Sequence, residues 1–155
     1  MKTYPLPRPP VRVPAFHPVP VRSRHDGWTP LRQAEFLGHL AVTCSVSAAA
    51  QAVGMAREGA YQLRTRPGAE SFAAAWDVAL GIHGPKPKVT LPGLATRLEQ
   101  GKWRPVLRRG QFLGVVQKHD NSALLALLAR LDRAAKRALQ AKTQGTEGHG
   151  RKTAP

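Results

Sequence analysis

Catalysis needs reactive side chains at workable spacing, and this chain offers few. Its six histidines are scattered, with no His-x-x-x-His or Cys-x-x-Cys pair for a metal and no Gly-x-x-x-x-Gly-Lys to cradle a phosphate. The nine acidic residues do not cluster as a nuclease metal site requires. Cys44, the single cysteine, has no histidine nearby and reads as a small packed residue rather than a nucleophile. Asp120, next to His119, reads as a helix cap. The expectation is a protein that is not an enzyme and carries no metal and no cofactor.

What the residues do offer is recognition chemistry, concentrated in Arg57, Glu58, Tyr61, Gln62, Arg64, Thr65 and Arg66. At the start of a helix, Arg57 can donate two hydrogen bonds to guanine O6 and N7, worth about 1–3 kcal/mol of discrimination. It can equally meet a phosphate or stay solvated. Gln62 has the amide geometry for adenine. Tyr61 suits a sugar or a thymine methyl, or else a place between helices. Arg64 and Arg66, if exposed, suit phosphates. Glu58 either accepts from cytosine or complements the positive helix start, and the second is the simpler role.

Those residues need a scaffold, and apolar spacing predicts one. Thr29 and Pro30 make a helix start, a side-chain cap followed by a proline that loses no hydrogen bond there. Leu31, Ala34, Leu37, Leu40 and Ala41 then recur at helical steps to about Val42. Ser45 caps a short alanine-rich helix over Val46–Val53, which must be packed because it is too short to stand alone. Gly54 ends it. A third helix follows from Arg57 to about Arg66, then a fourth over Ala69–Leu80, with Phe72, Ala73, Trp76, Ala79 and Leu80 on its apolar face. Ala50, Val53, Met55 and Leu63 hold the second and third helices together. That leaves Ala56, Arg57, Glu58, Tyr61, Gln62 and Thr65 outside, the arrangement of a helix-turn-helix whose second helix reads a major groove.

Over Ser45–Tyr61 the chain resembles small homeodomain-like helix-turn-helix DNA-binding proteins, with the small residue before the turn, Gly54 and Leu63 at the family spacings. Ala60 stands where that family carries a larger aliphatic. Trp28-Thr29-Pro30, Ala69 to Trp76, Arg104-Pro105-Val106, Arg109-Gly110, Gly114 and Asn121 to Leu128 extend the likeness. With them the chain resembles phage terminase small subunits and related prophage and bacterial proteins. Double-stranded DNA is the partner this resemblance implies.

Beyond the fourth helix, residues 81–92 read as a linker from their Pro and Gly content. Residues 93–142 read as a short helix stopped by Gly101, a hairpin of Trp103–Arg108 and Gln111–Lys118 turning at Arg109-Gly110, and a last helix from Ser122 to about Lys142. Leu124, Leu127, Leu128, Leu131, Ala135, Ala138 and Leu139 form a stripe on that helix. It is either core against the fourth helix or an interface for a homo-oligomer. Residues 1–27, with seven prolines, read as a disordered Pro/Arg-rich arm, and 143–155 as a disordered tail. The fold class expected is mostly α: a tri- to tetrahelical helix-turn-helix domain over 28–80, a C-terminal β-hairpin and amphipathic helix, and disordered termini.

At 155 residues the chain supports one compact domain plus tails. Its formal charge of +15 points to an anionic partner. The charge is uneven. Residues 28–80 carry four basic and four acidic side chains, whereas 81–119 carry eight basic and one acidic. A neutral helical unit cannot alone supply the phosphate contacts of a tight binder. The expectation is that the third helix specifies while the arm and Lys86, Lys88, Lys102, Arg104, Arg108, Arg109 and Lys118 add affinity. No apolar run approaches a membrane span, the first residues lack a signal-peptide h-region, and a lone thiol fits a reducing cytoplasm. A transcriptional regulator, a terminase small subunit-like packaging adaptor and a nonspecific basic nucleic-acid-binding protein are the three roles consistent with these residues.

Overall fold

A computed structural model describes residues 11–22 and 24–147, and its organising element is the first helix. Helix α1 (Pro30–Thr43) begins as the sequence predicts: Thr29 is extended and its hydroxyl accepts the Arg32 N–H at 3.2 Å. Its burial is broader than one stripe. Gln33, Phe36 and Gly38 are buried together with Ala34, Leu37, Leu40 and Ala41, while Leu31 is exposed. The physical reason is tertiary, since a helix covered by several distant elements loses its one-sided pattern.

Three further helices follow: α2 (Val46–Ala52), α3 (Arg57–Arg64) and α4 (Glu70–Ala79). Ser45 Oγ caps α2 by accepting the Ala48 N–H at 3.3 Å. Between α2 and α3, Gly54 takes φ 71°, a left-handed conformation that glycine adopts without penalty. The Met55 N–H then closes the turn on the Ala50 carbonyl at 2.9 Å. Phe36 sits at the aromatic centre, with ring centroids 4.9 Å from Trp76, 5.5 Å from Trp28 and 6.2 Å from Phe72. Such pairs add about 0.5–1.5 kcal/mol beyond their buried area.

The expected arm is the largest correction. Residues 1–10 lie outside the described residues, but the segment from Val11 onward is part of the core. Val13, Phe16, Pro18 and Val19 are fully buried, and Phe16 packs edge-on against Phe72 at 5.8 Å. Prolines removed the period-two or period-3.6 signal, yet Val13, Phe16 and Val19 recur every third residue. That is the repeat by which an extended proline-rich chain presents one face. The backbone is held too: Phe16 and Trp103 exchange N–H···O=C bonds of 2.9 Å in both directions.

After the exposed segment Gly81–Thr90 come α5 (Leu91–Gln100), β1 (Lys102–Arg108), β2 (Gln111–Lys118) and α6 (Asn121–Glu147). Strands β1 and β2 pair antiparallel around Arg109-Gly110, whose φ values of 51° and 74° make a two-residue turn that matches the twist of the strands. The hairpin lies on α1, and Trp103, Leu107 and Val115 pack against the core. The helical unit and the hairpin therefore share one core, and residue 80 is not the end of an independent domain.

Helix α6 corrects two expectations. It continues to Glu147, so 143–147 are helical and the rest of the expected tail lies outside the described residues. Its leucine stripe is not core against α4. Leu124, Leu128, Leu131 and Leu139 are 45–67% exposed, and α6 rests on α5 near its start, where Leu94 and Ala123 are buried.

Candidate nucleic-acid interface

Helix α3 has two chemically distinct faces. Ala60 and Leu63 are fully buried. Ala56, Arg57, Glu58, Tyr61, Gln62 and Thr65 are exposed, as the spacing predicts, and Arg66 is exposed as well. Ala60, the small residue at this position, is fully shielded from solvent. The side chains of Glu58 and Gln62 have no hydrogen-bond or ionic partner among the described residues, so both are available. Tyr61 is packed in part between helices, its ring 5.6 Å from that of Trp76, and it remains 41% exposed. Arg57 extends over the Tyr61 ring at 5.7 Å, which orients its guanidinium along the outer face. Thr65 is turned back on the helix, its hydroxyl donating to the Gln62 carbonyl at 3.1 Å.

Arg64 does not join that face. Its Nη2 donates to Asp77 Oδ1 at 2.7 Å and its guanidinium lies 5.2 Å over Trp76, so the side chain braces α3 against α4. The side chain is only part-exposed and its Nη2 is already taken by Asp77, while its Nη1 is buried with no hydrogen-bond partner. The sequence shows a basic residue one step off the outer face; the acidic partner lies on another helix.

Arg22 and Arg24, which share a notch with Arg66, are legible in the sequence only as part of an arm. Val21, Arg22, Arg24, Gly27, Trp28 and Arg66 line an open notch of about 400 Å³. The segment is fixed along α3 at both ends. Pro20 Cδ lies 3.0 Å from the position of a Cβ on Gly68, just past α3, and Trp28 Nε1 lies 3.2 Å from that of a Cβ on Gly59, within it. The Arg32 Nη1 donates to the Gly27 carbonyl at 2.9 Å and holds the bend between them.

On the hairpin side, one expected phosphate ligand is already engaged. Asp120 is buried, caps α6 by accepting the Ala123 N–H at 3.1 Å, and binds Arg97 Nε at 2.9 Å and Lys102 Nζ at 3.2 Å. Burial pushes the Asp120 carboxyl up, but Lys102, the Ala123 N–H and Arg97 outweigh it and hold it below the usual carboxylate range. His17 completes the cluster, with Nδ1 3.1 Å from the Gly101 carbonyl and Nε2 3.5 Å from Asp120 Oδ2. Burial, with help from the Arg97 and Lys102 charges, lowers His17 below the ordinary histidine value against the pull of Gly101 and Asp120. The cluster ties the N-terminal segment, α5, β1 and α6 together and takes Lys102 out of the set free for phosphates. Arg104, Arg108, Arg109 and Lys118 carry no ion pair among the described residues.

Among the described residues no three His, Cys, Asp or Glu side chains lie close enough to hold a metal ion, and no helix is long and apolar enough to cross a membrane. Neither a known protein family, nor a curated protein, nor a solved structure gives a match to this chain.

Proposed function

We propose that this chain is a non-catalytic double-stranded DNA-binding protein in which α2, the Gly54 turn and α3 act as a helix-turn-helix, with α3 in the major groove. The observation that carries the reading is the division of α3. One face is sealed into the core by Ala60 and Leu63, and the other offers Arg57, Tyr61, Gln62 and Arg66 to solvent in a chain of charge +15. A groove about 12 Å wide admits such a helix. Arg57 and Gln62 read base edges, Tyr61 stiffens Arg57, and the basic residues around them hold the backbone.

Selection of duplexes from a random pool by the full chain tests this. A recovered consensus that relaxes at one position in Arg57→Gln, and at another in Gln62→Ala, is the expected result. Uniform binding to all duplexes with steep salt dependence would instead make the protein a nonspecific basic binder. No binding at low salt would end the DNA reading.

The exposed stripe on α6 favours an assembly of identical chains. Leu124, Leu128, Leu131, Ala135 and Ala138 alternate steps of four and three and are all exposed, the spacing of a coiled-coil seam. Two copies joined there would present two α3 helices to grooves about 34 Å apart, as a dimeric regulator requires. Light scattering on a sizing column separates this from the packaging-adaptor reading, which calls for a large discrete ring.

A further inference from the structure

We propose that the notch lined by Arg22, Arg24 and Arg66 binds a phosphodiester of the DNA backbone and sets how far the duplex sits from the flank of α3. Three of the six lining residues are arginines and none is acidic. None of the three guanidinium groups has a hydrogen bond or an ion pair among the described residues. Asp26 lies in the neighbouring bend, but it is exposed and does not line the notch. Three cations lining one concave surface without a counter-charge are better accommodated with an anion between them. The forked donors of arginine match the tetrahedral oxygens of a phosphate.

The position selects a backbone phosphate over a free one. The notch is built against α3 and the turn after it, through Trp28 over Gly59 and Pro20 over Gly68, and Arg66 lies just past the Thr65 cap of the helix. An anion held there lies beside the outward face of Arg57, Tyr61 and Gln62, where the strand bordering an occupied groove has to run. Trp28 gives the notch a rigid apolar wall, since its ring is packed edge-on against Phe36 at 5.5 Å. The assignment rests on the DNA-binding reading above and adds to it residues from a segment that reads as an arm in the sequence.

The test compares the full-length chain with R22Q/R24Q/R66Q and with the matching triple lysine variant. Affinity for several unrelated duplexes is measured across a salt series, with circular dichroism to match the folds. In the glutamine variant, affinity should fall about tenfold for every duplex, and the slope of log affinity on log salt should flatten by about 1, the share of one phosphate. The lysine variant should keep most of that slope. A glutamine variant equal to the parent in affinity and slope overturns the assignment and leaves DNA binding through α3 standing. A parent chain that binds no duplex at low salt removes the underlying reading, and this assignment with it. Inorganic phosphate is the second probe, read on the Trp28 indole N–H resonance. If it shifts that resonance while the glutamine variant still binds DNA like the parent, the notch is a free-phosphate site and the backbone assignment fails.

Discussion

The side-chain amide of Gln33 pairs with the backbone of Val19 as a neighbouring strand would: Oε1 accepts the Val19 N–H at 2.7 Å and Nε2 donates to the Val19 carbonyl at 3.1 Å. The same Nε2 donates to the Trp28 carbonyl at 3.0 Å. One fully buried glutamine on α1 thus fixes both ends of the segment that carries Arg22 and Arg24. A buried amide in a helix is tolerable because all its donors and acceptors are used, and the backbone it serves is too irregular to pair with itself.

Gln33→Leu should therefore destabilise the fold by about 2–6 kcal/mol. The leucine fills the space but leaves the Val19 N–H and carbonyl buried without partners, at about 1–3 kcal/mol each, and the part-buried Trp28 carbonyl without its donor. Urea titration checks the magnitude, and faster tryptic cleavage after Arg22 or Arg24 checks the mechanism. A loss below about 1 kcal/mol would mean that water replaces the amide.

Gly38→Ala reverses an ordinary helix preference. In an exposed helix interior, alanine is worth about 1 kcal/mol over glycine. Here a Cβ would overlap the Phe112 ring of β2, so α1 and the hairpin must separate, at a cost of about 1–3 kcal/mol. Phe112→Leu in the same chain should recover part of the loss. A stabilised single variant would show that the hairpin does not rest on Gly38.

Much of this was readable in the sequence, and what escaped has a common cause. Thr29-Pro30, Ser45, Gly54 and Arg109-Gly110 fix helix starts and turns through local chemistry, so those boundaries fall where the residues put them. Phe36, Gln33 and Gly38 belong to no single stripe because α1 is covered from several directions. Phe16 and Val19 hide among prolines. The outward face of α3 was legible from the Ala60–Leu63 spacing, whereas the loss of Arg64 to Asp77 and of Lys102 to Asp120 was not, since pairing between distant elements leaves no local pattern.

Stability should fall on acidification in two stages. His17 is lowered in the folded chain, so below its ordinary value of about 6.5 the unfolded chain takes up a proton first, and stability declines from there toward the folded value. Asp120 is also lowered, so its contribution is intact above about pH 4 and is lost as pH falls through the folded value. Chemical denaturation at stepped pH measures both. His17→Gln should abolish the first decline and Asp120→Asn the second, and a parent chain equally stable at pH 7 and pH 5 would contradict the His17 assignment.

Arg64 and Arg66, two residues apart, should separate cleanly. A cycle of Arg64→Gln and Asp77→Asn should give a coupling of about 0.5–1 kcal/mol, modest because the pair is part-exposed. Arg64→Gln should leave the salt slope of DNA binding unchanged. A slope that falls as much for Arg64→Gln as for Arg66→Gln would place Arg64 on the DNA after all.

A fragment of residues 28–80 should not fold cooperatively. It lacks Val13, Phe16 and Val19 and the hairpin residues that cover α1, so Phe72 loses the Phe16 ring and α1 loses Phe112 over Gly38. Heteronuclear spectra with little dispersion are the expected result, and a sharp, well-dispersed spectrum would restore the independent helical domain.

The paired backbone bonds between Phe16 and Trp103 also set an order of events in synthesis. Phe16 leaves the ribosome early, but its partner strand emerges after α1 to α5 have been made. Contacts so distant along the chain close late and slowly, because loop entropy must be met before the contact returns anything. The four helices that carry the outward face of α3 must wait, incompletely covered, for Lys118 to appear. An α1 whose hairpin side is still open to solvent is a target for chaperones during that interval, so a stop codon or ribosomal stall before the hairpin yields a chain without a finished reading surface.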